Sequence, residues 1–171
     1  MIRSNAFRPQ AALAALFVLL AAGACIAQDA PATTGAAATP ADPPGYDAAL
    51  AERLGADDYG MRRYVLVILK TGPTPLPRGE ARDAMFQGHF ANMKRLAAEG
   101  KLVLAGPLDG VDGRRGIFLF DTADLDEARA LVATDPVIVN GEMEAELHAY
   151  YGSAALLLVN EAHGKISRKP F

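Results

Sequence analysis

The chain has 171 residues, about half of them apolar and 22% charged, which fits one soluble globular domain better than two. Residues 1–27 contain two arginines and no acidic residue, so their removal changes the formal net charge from −3 to about −5. A mildly acidic chain lacks the basic surface that nucleic acids and anionic lipids require, and we expect neither as a partner. The single cysteine, Cys25, leaves no disulfide and no thiolate metal site for the rest of the chain.

Residues 1–27 have the three parts of a secretory signal peptide. Two arginines precede an apolar run over residues 11–24, and small residues follow. We expect cleavage after Ala27, with Cys25 and Ala27 as the small residues that a signal peptidase needs, and a periplasmic or secreted mature protein. The alternative is a lipoprotein, because residues 22–25 resemble a lipoprotein box whose cysteine is acylated and anchors the protein to a membrane.

Residues 28–60 are expected to form a flexible linker. Up to residue 45 they are almost entirely Ala, Thr, Pro, Gly and Asp, a composition that cannot bury enough surface to offset chain entropy. Between Tyr46 and Asp58 a short helix could form with Ala49, Leu50 and Leu54 on one side.

The domain proper is expected over residues 61–159, followed by a C-terminal tail at 160–171. Strands are predicted from β-branched runs and helices from an apolar repeat of three to four residues. In chain order they are a strand at 63–70, a helix at 80–99, strands at 101–105 and 115–120, a helix opened by a capping-box pattern at Asp124, a strand at 142–151 and a further short strand at 154–159. Gly100 is predicted to end the first helix.

This order, β-α-β-β-α-β, predicts a ferredoxin-like α+β fold with a four-stranded antiparallel sheet and the helices on one face. The first three strands are apolar on both faces, whereas a sheet with one wet face should alternate. We therefore expect a second copy of the chain to cover the other face, in a homodimer packed sheet to sheet. In the last strand, a polar row is expected on one face, formed by Glu142, Glu144, Glu146 and His148.

Two residues are candidates for catalysis, His89 and Asp135. His89 lies on the apolar side of the long helix, where a histidine is either a core residue or a tuned acid or base. Asp135 precedes a proline, where an aspartate often caps or turns the chain. As a pair they suggest more, because a carboxylate bonded to one imidazole nitrogen fixes the tautomer and makes the other nitrogen a useful base.

The stretch from Gly88 to Pro107, with its helix histidine, Gly-Lys-Leu and Ala-Gly-Pro, resembles the signature of the YCII-related (YciI-like) family. Residues 128–136, with Gly141 and the strand after it, resemble the second half of that signature. The resemblance implies a dimeric α+β-barrel fold, shared with muconolactone isomerases and a chlorohydroxyhydroquinone dehydrochlorinase. It also implies a catalytic His-Asp dyad, at the positions of His89 and Asp135.

Other features carry weaker signals. Lys70, Arg114 and Arg115 could attract an anionic substrate, although solvated strand ends have the same pattern. The spacing of Glu144, Glu146 and His148 is the ordinary outcome of strand alternation, so no metal site is expected. The sequence contains no phosphate-binding loop, dinucleotide fingerprint, nucleophile elbow or zinc-protease motif, so we expect no cofactor.

Two functions remain open from the sequence. The first is a cofactor-independent lyase or isomerase that moves a proton on a small cyclic or enolisable compound through His89 and Asp135. The second is a non-catalytic periplasmic module that binds a small ligand or serves in a stress response.

Overall fold

The computed structural model describes residues 42–169, which form four strands, five α-helices and two short 3₁₀ segments. In chain order these are α1 (Ala48–Arg53), β1 (Met61–Thr71), α2 (Glu80–Ala98), β2 (Leu102–Pro107), a 3₁₀ turn (Val111–Gly113), β3 (Arg114–Phe120), α3 (Leu125–Val132), α4 (Pro136–Val139), β4 (Met143–Ser153), a second 3₁₀ segment (Ala154–Leu158) and α5 (Val159–Ile166). The expected signal peptide, its cleavage or acylation site and the first part of the linker lie outside these residues. Within residues 42–169, every helix is too short or too polar to cross a bilayer.

The four strands form one antiparallel sheet in the order β2-β3-β1-β4. β1 lies at its centre and pairs with β3 on one side and with β4 on the other. This confirms the predicted α+β fold with its β-α-β-β-α-β succession. The helical boundaries follow the predicted signals closely, since α2 ends at Ala98 and Gly100 takes the left-handed conformation with φ of 72°.

One face of the sheet packs against the helices and forms the main core. Val65, Val67 and Leu69 of β1 point to this face, together with Phe118 and Phe120 of β3. All five are almost completely buried, and each such side chain stabilises the fold by about 1.5–3 kcal/mol. Met85 and Leu96 of α2 are among the helix residues in the same cluster.

The other face is partly covered by the chain itself, which corrects two expectations. Residues 154–159 do not continue the sheet, because the Ala154 N–H donates to the carbonyl of Gly60 and the chain then turns into a 3₁₀ segment. Leu156 and Leu157 of that segment pack against a small second cluster, formed by Tyr64, Val103 and Leu119. The predicted tail includes helix α5, whose Asn160 side chain donates to the carbonyl of Leu102 at 2.8 Å.

Helix α3 begins as predicted but uses only half of the capping box. The carboxylate of Asp124 accepts hydrogen bonds from the N–H groups of Asp126 and Glu127. The Glu127 carboxylate does not return to the cap; it accepts from Lys101 at 2.7 Å and from Thr122 at 2.6 Å. It thereby ties the start of α3 to the loop and strand beside it.

Candidate active site

His89 and Asp135 lie 46 residues apart in the sequence and meet in the fold. His89 is on α2, and its Nδ1 lies 2.8 Å from Oδ2 and 2.9 Å from Oδ1 of Asp135, at the start of α4. Gly88 permits this approach, since a Cβ there would lie 3.0 Å from the ring of Pro136. The sequence had shown Gly88 only as part of the family signature.

Asp135 serves as a helix cap and as the partner of His89 at once. Its Oδ1 accepts a hydrogen bond from the N–H of Val137 at 3.1 Å, which caps α4. The side chain is completely buried. The cap that the sequence suggested is therefore present together with the contact to His89, because the carboxylate has enough lone pairs for both donors.

The imidazole of His89 is held among aromatic rings. Phe118 stacks on it at 25° with a centroid distance of 6.0 Å, and Phe86 meets it edge to face at 5.9 Å. An ionised carboxylate can only accept hydrogen bonds, so Nδ1 carries the proton that the Asp135 oxygens share. In the neutral ring, Nε2 is then an acceptor and is the nitrogen that remains available for chemistry.

A cleft of about 390 Å³ lies beside this ring, between α2 and strands β2 and β3. That volume lies in the lower part of the range typical of small-molecule sites and would hold a compound of one or two rings. Its wall is mostly apolar and includes Phe86, His89 and Phe90 of α2, Gly106 and Pro107 of β2, and Arg115 of β3. Gly106 and Pro107 thus bring backbone to the cleft.

Glu142 does not belong to the polar row that was expected on β4. The strand begins at Met143, and Glu142 is completely buried on the helix side of the sheet. One oxygen accepts from Arg82 at 2.7 Å, and the other accepts from the N–H of Leu76 at 2.7 Å. Burial raises the pKa of Glu142, but the hydrogen bonds from Arg82 and Leu76 and the charges of Arg82 and Arg115 outweigh it and hold the pKa below its ordinary value. Alternation alone could not reveal this, because the strand starts one residue later than predicted.

The other charged residues singled out in the sequence lie elsewhere, with one exception. Lys70 contacts Glu144 and Glu146 at 3.6 and 3.5 Å, and Arg114 contacts Asp112 at 3.0 Å. His148 pairs with Glu146 at 2.8 Å. Among residues 42–169, no three side chains of the His, Cys, Asp and Glu types are grouped closely enough to hold a metal ion. The exception is Arg115, which lines the same cleft as His89.

The chain is similar to a family of domains and, more distantly, to solved structures. No curated protein sequence matches the chain significantly. A solved structure, 5-chloro-2-hydroxyhydroquinone dehydrochlorinase (TftG) from Burkholderia phenoliruptrix AC1100 in complex with 2,5-dihydroxybenzoquinone, aligns over 51% of this chain and 92% of its own, with 21% identity and a TM-score of 0.39. A similarity at this level says nothing about activity.

The family model gives the more direct result. Residues 63–147 match the model of the YCII-related domain. The match covers the centre of the sheet, the cleft and both residues of the His-Asp pair. The chain is therefore similar to the YCII-related domain family over residues 63–147, just under half of its 171 residues.

Proposed function

We propose that the domain is an enzyme in which His89, oriented by Asp135, transfers a proton on a small cyclic or enolisable compound. The observation that carries the proposal is the 2.8 Å contact between His89 Nδ1 and the Asp135 carboxylate beside a cleft of about 390 Å³. A structural histidine would need a hydrogen-bond partner but would not need an adjoining cavity. The proposed chemistry is that of a lyase or an isomerase.

The proposed step begins with neutral His89. Its Nε2 takes a proton from a carbon next to the substrate carbonyl, and the electron pair of the broken C–H bond forms an enolate. The imidazolium that results is stabilised by the Asp135 carboxylate and by the face of Phe118, which stacks on the ring. Return of the proton to another carbon completes an isomerisation, and departure of a leaving group from the adjacent carbon completes an elimination.

The apolar wall of the cleft supports the same step. Charge–charge attraction is stronger where water is excluded, so the Asp135 carboxylate stabilises a buried imidazolium more effectively than an exposed one. His89 is 7% exposed and Asp135 is fully buried. General acid–base assistance of this kind typically contributes about 10²–10⁴ in rate.

The test uses a panel of cyclic β,γ-unsaturated lactones and ketones, with proton transfer at carbon followed by ¹H NMR in D₂O. The wild-type protein should accelerate exchange or isomerisation of at least one compound. His89→Gln should lower that rate by about 10²–10⁴ with an unchanged circular dichroism spectrum. His163→Gln, which replaces a histidine of α5, is the matched control and should keep the full rate.

Two outcomes would contradict the enzyme. If His89→Gln unfolds the protein while Asp135→Asn leaves the rate intact, the pair is structural. If compounds of the panel raise the melting temperature and none is converted, the alternative of a non-catalytic binding module is favoured instead.

We also propose that the mature protein acts outside the cytoplasm. The support is the composition of residues 1–27, with two arginines, an apolar run and small residues. The intact mass of protein recovered from the periplasmic fraction distinguishes the two routes. A chain that begins at Gln28 indicates soluble export, whereas an acylated Cys25 indicates a lipoprotein.

A further inference from the structure

Arg115 is the one cationic side chain, among residues 42–169, that lines the cleft beside His89. The remaining wall is apolar or backbone apart from the imidazole itself. A ligand that fills the cleft would remove water from this guanidinium, and an anionic ligand would offset the cost of that desolvation.

The nearest carboxylate, Glu142, is largely committed to other donors. Its two oxygens accept from Arg82 and from the Leu76 N–H, each at 2.7 Å. Arg115 stands 3.8 Å from the same carboxylate, beyond hydrogen-bond distance, and its side chain is 29% exposed. Two guanidinium groups thus share one carboxylate, and Arg115 has the weaker contact with it.

The backbone places Arg115 in this position through an irregularity in the sheet. Leu69 of β1 lies opposite Gly116, and Lys70 lies opposite Arg114, so the register shifts and Arg115 has no residue opposite it in β1. An extra residue of this kind re-aims its side chain relative to the regular alternation. Arg114, its neighbour, instead contacts Asp112 and is half exposed.

We propose that Arg115 is the anion-binding residue of the cleft, and that the substrate is a ring compound with a carboxylate or an acidic hydroxyl group. This inference rests on the proposed function, since it assigns the substrate class of the His89 site. The Arg115 guanidinium binds the anionic group, and the aromatic side chains contact the ring. The anion thereby orients the ring with a carbon against Nε2 of His89.

The experiment measures binding separately from turnover, with benzoate as the anionic probe and benzamide as its neutral counterpart. Dissociation constants are obtained from NMR titrations at low ionic strength. The wild-type protein should bind benzoate at least tenfold more tightly than benzamide, and benzoate should shift the Arg115 Nε–H signal. Arg115→Met should abolish the preference, Arg115→Lys should retain part of it, and Arg114→Met should leave it unchanged.

Three results would overturn the proposal: no detectable benzoate binding, equal affinity for the two probes in the wild-type protein, or a preference that survives in Arg115→Met. If Arg115→Met does not fold, the proposal is tested by the preference of the wild-type protein for benzoate and by the shift of the Arg115 Nε–H signal. His89→Gln separates the two proposals, because it should lose turnover and keep the benzoate preference. An absence of catalysis would therefore not contradict the anion site, and an absence of the anion preference would not contradict catalysis by His89.

Discussion

Asp135 satisfies two donors that make different demands on its side chain. The Val137 N–H needs an acceptor at the start of α4, and the imidazolium of the proposed step needs a negative charge beside Nδ1 of His89. An asparagine can meet the first demand nearly as well as an aspartate. It cannot supply the charge that an imidazolium would require. Substitutions at this one position can therefore separate the structural role from the proposed catalytic one.

We predict that Asp135→Asn costs about 1 kcal/mol of stability or less, because the cap is kept, and that it lowers turnover at least tenfold. Asp135→Ala should cost about 2–4 kcal/mol, since it removes the cap and leaves a buried imidazole unpaired. Urea unfolding measures the stability losses of the two variants, and the proton-transfer assay measures turnover. Asp124→Asn, at the cap of α3, is the control and should change neither quantity. Equal stability of the Asn and Ala variants would contradict the assigned double role.

Glu142 makes the stability of the protein depend on pH. Its pKa is lower in the fold than the ordinary value of 4.5, so the folded state favours the ionised form. The stabilisation is fully present above the ordinary pKa and disappears as the pH falls through the lowered one. The exposed carboxylate of Glu161 also has a lowered pKa, through a hydrogen bond from Lys165, and provides a comparison.

We predict that Glu142→Gln lowers the free energy of unfolding by about 1–3 kcal/mol at neutral pH, because it leaves Arg82 and Arg115 without a buried carboxylate. The difference from wild type should shrink as the pH falls below about 4. Urea unfolding at a series of pH values measures it. Glu161→Gln should leave stability essentially unchanged at any pH, since solvent screens its pair. A difference that stays constant down to low pH would argue against the ionised Glu142.

At the scale of elements, the site depends on how closely neighbouring segments approach. The end of β1 meets the start of β4 at Gly72, whose N–H donates to the carbonyl of Glu142 at 2.9 Å. A Cβ on Gly72 would overlap the carbonyl oxygen of Gly141 and lie 2.8 Å from the backbone nitrogen of Met143. Glycine is required here for close packing of backbone against backbone, and the contact fixes where Glu142 enters the core.

We predict that Gly72→Ala destabilises the protein by about 2 kcal/mol, because rigid backbone must shift to admit the methyl group. Thermal or urea unfolding measures the loss. Gly164→Ala in α5 is the control. No atom lies within 4 Å of a Cβ at that position, so the added helix propensity should make it neutral or slightly stabilising. Equal effects at the two glycines would be inconsistent with the packing described.

At the scale of the molecule, the second face of the sheet is only partly covered. Leu156 and Leu157 cover the region of Tyr64 and Val103. Farther along β1, Leu66 and Ile68 remain half-buried within the chain. The homodimer therefore stays a proposal, now limited to the part of the face that the C-terminal segment does not cover.

We predict that analytical ultracentrifugation of the wild-type protein at micromolar concentration gives twice the mass of one chain. Ile68→Glu should yield monomers, because it places a charge in the proposed apolar interface. Val139→Glu, at a position of α4 that is 71% exposed, should remain dimeric. A wild-type protein that sediments as a monomer would leave the second face without the proposed cover.

The sequence by itself determined the order of the four sheet strands and of helices α2 and α3, the ends of α2 and the start of α3. Those features depend on neighbouring residues, through β-branched runs, an apolar helical repeat, a terminal glycine and a capping aspartate. It also identified His89 and Asp135, although only as two residues whose types suit each other. Each retained a structural explanation that local pattern could not dismiss.

Only the tertiary structure decided what depends on distant parts of the chain. The contact between His89 and Asp135 requires α4 to pack on α2 at Gly88. The burial of Glu142, the position of Arg115 and the cover from Leu156 and Leu157 depend in the same way on pairing register and on where the chain leaves the sheet. Local composition carries no record of these distances, because they follow from how the sheet and helices close upon one another.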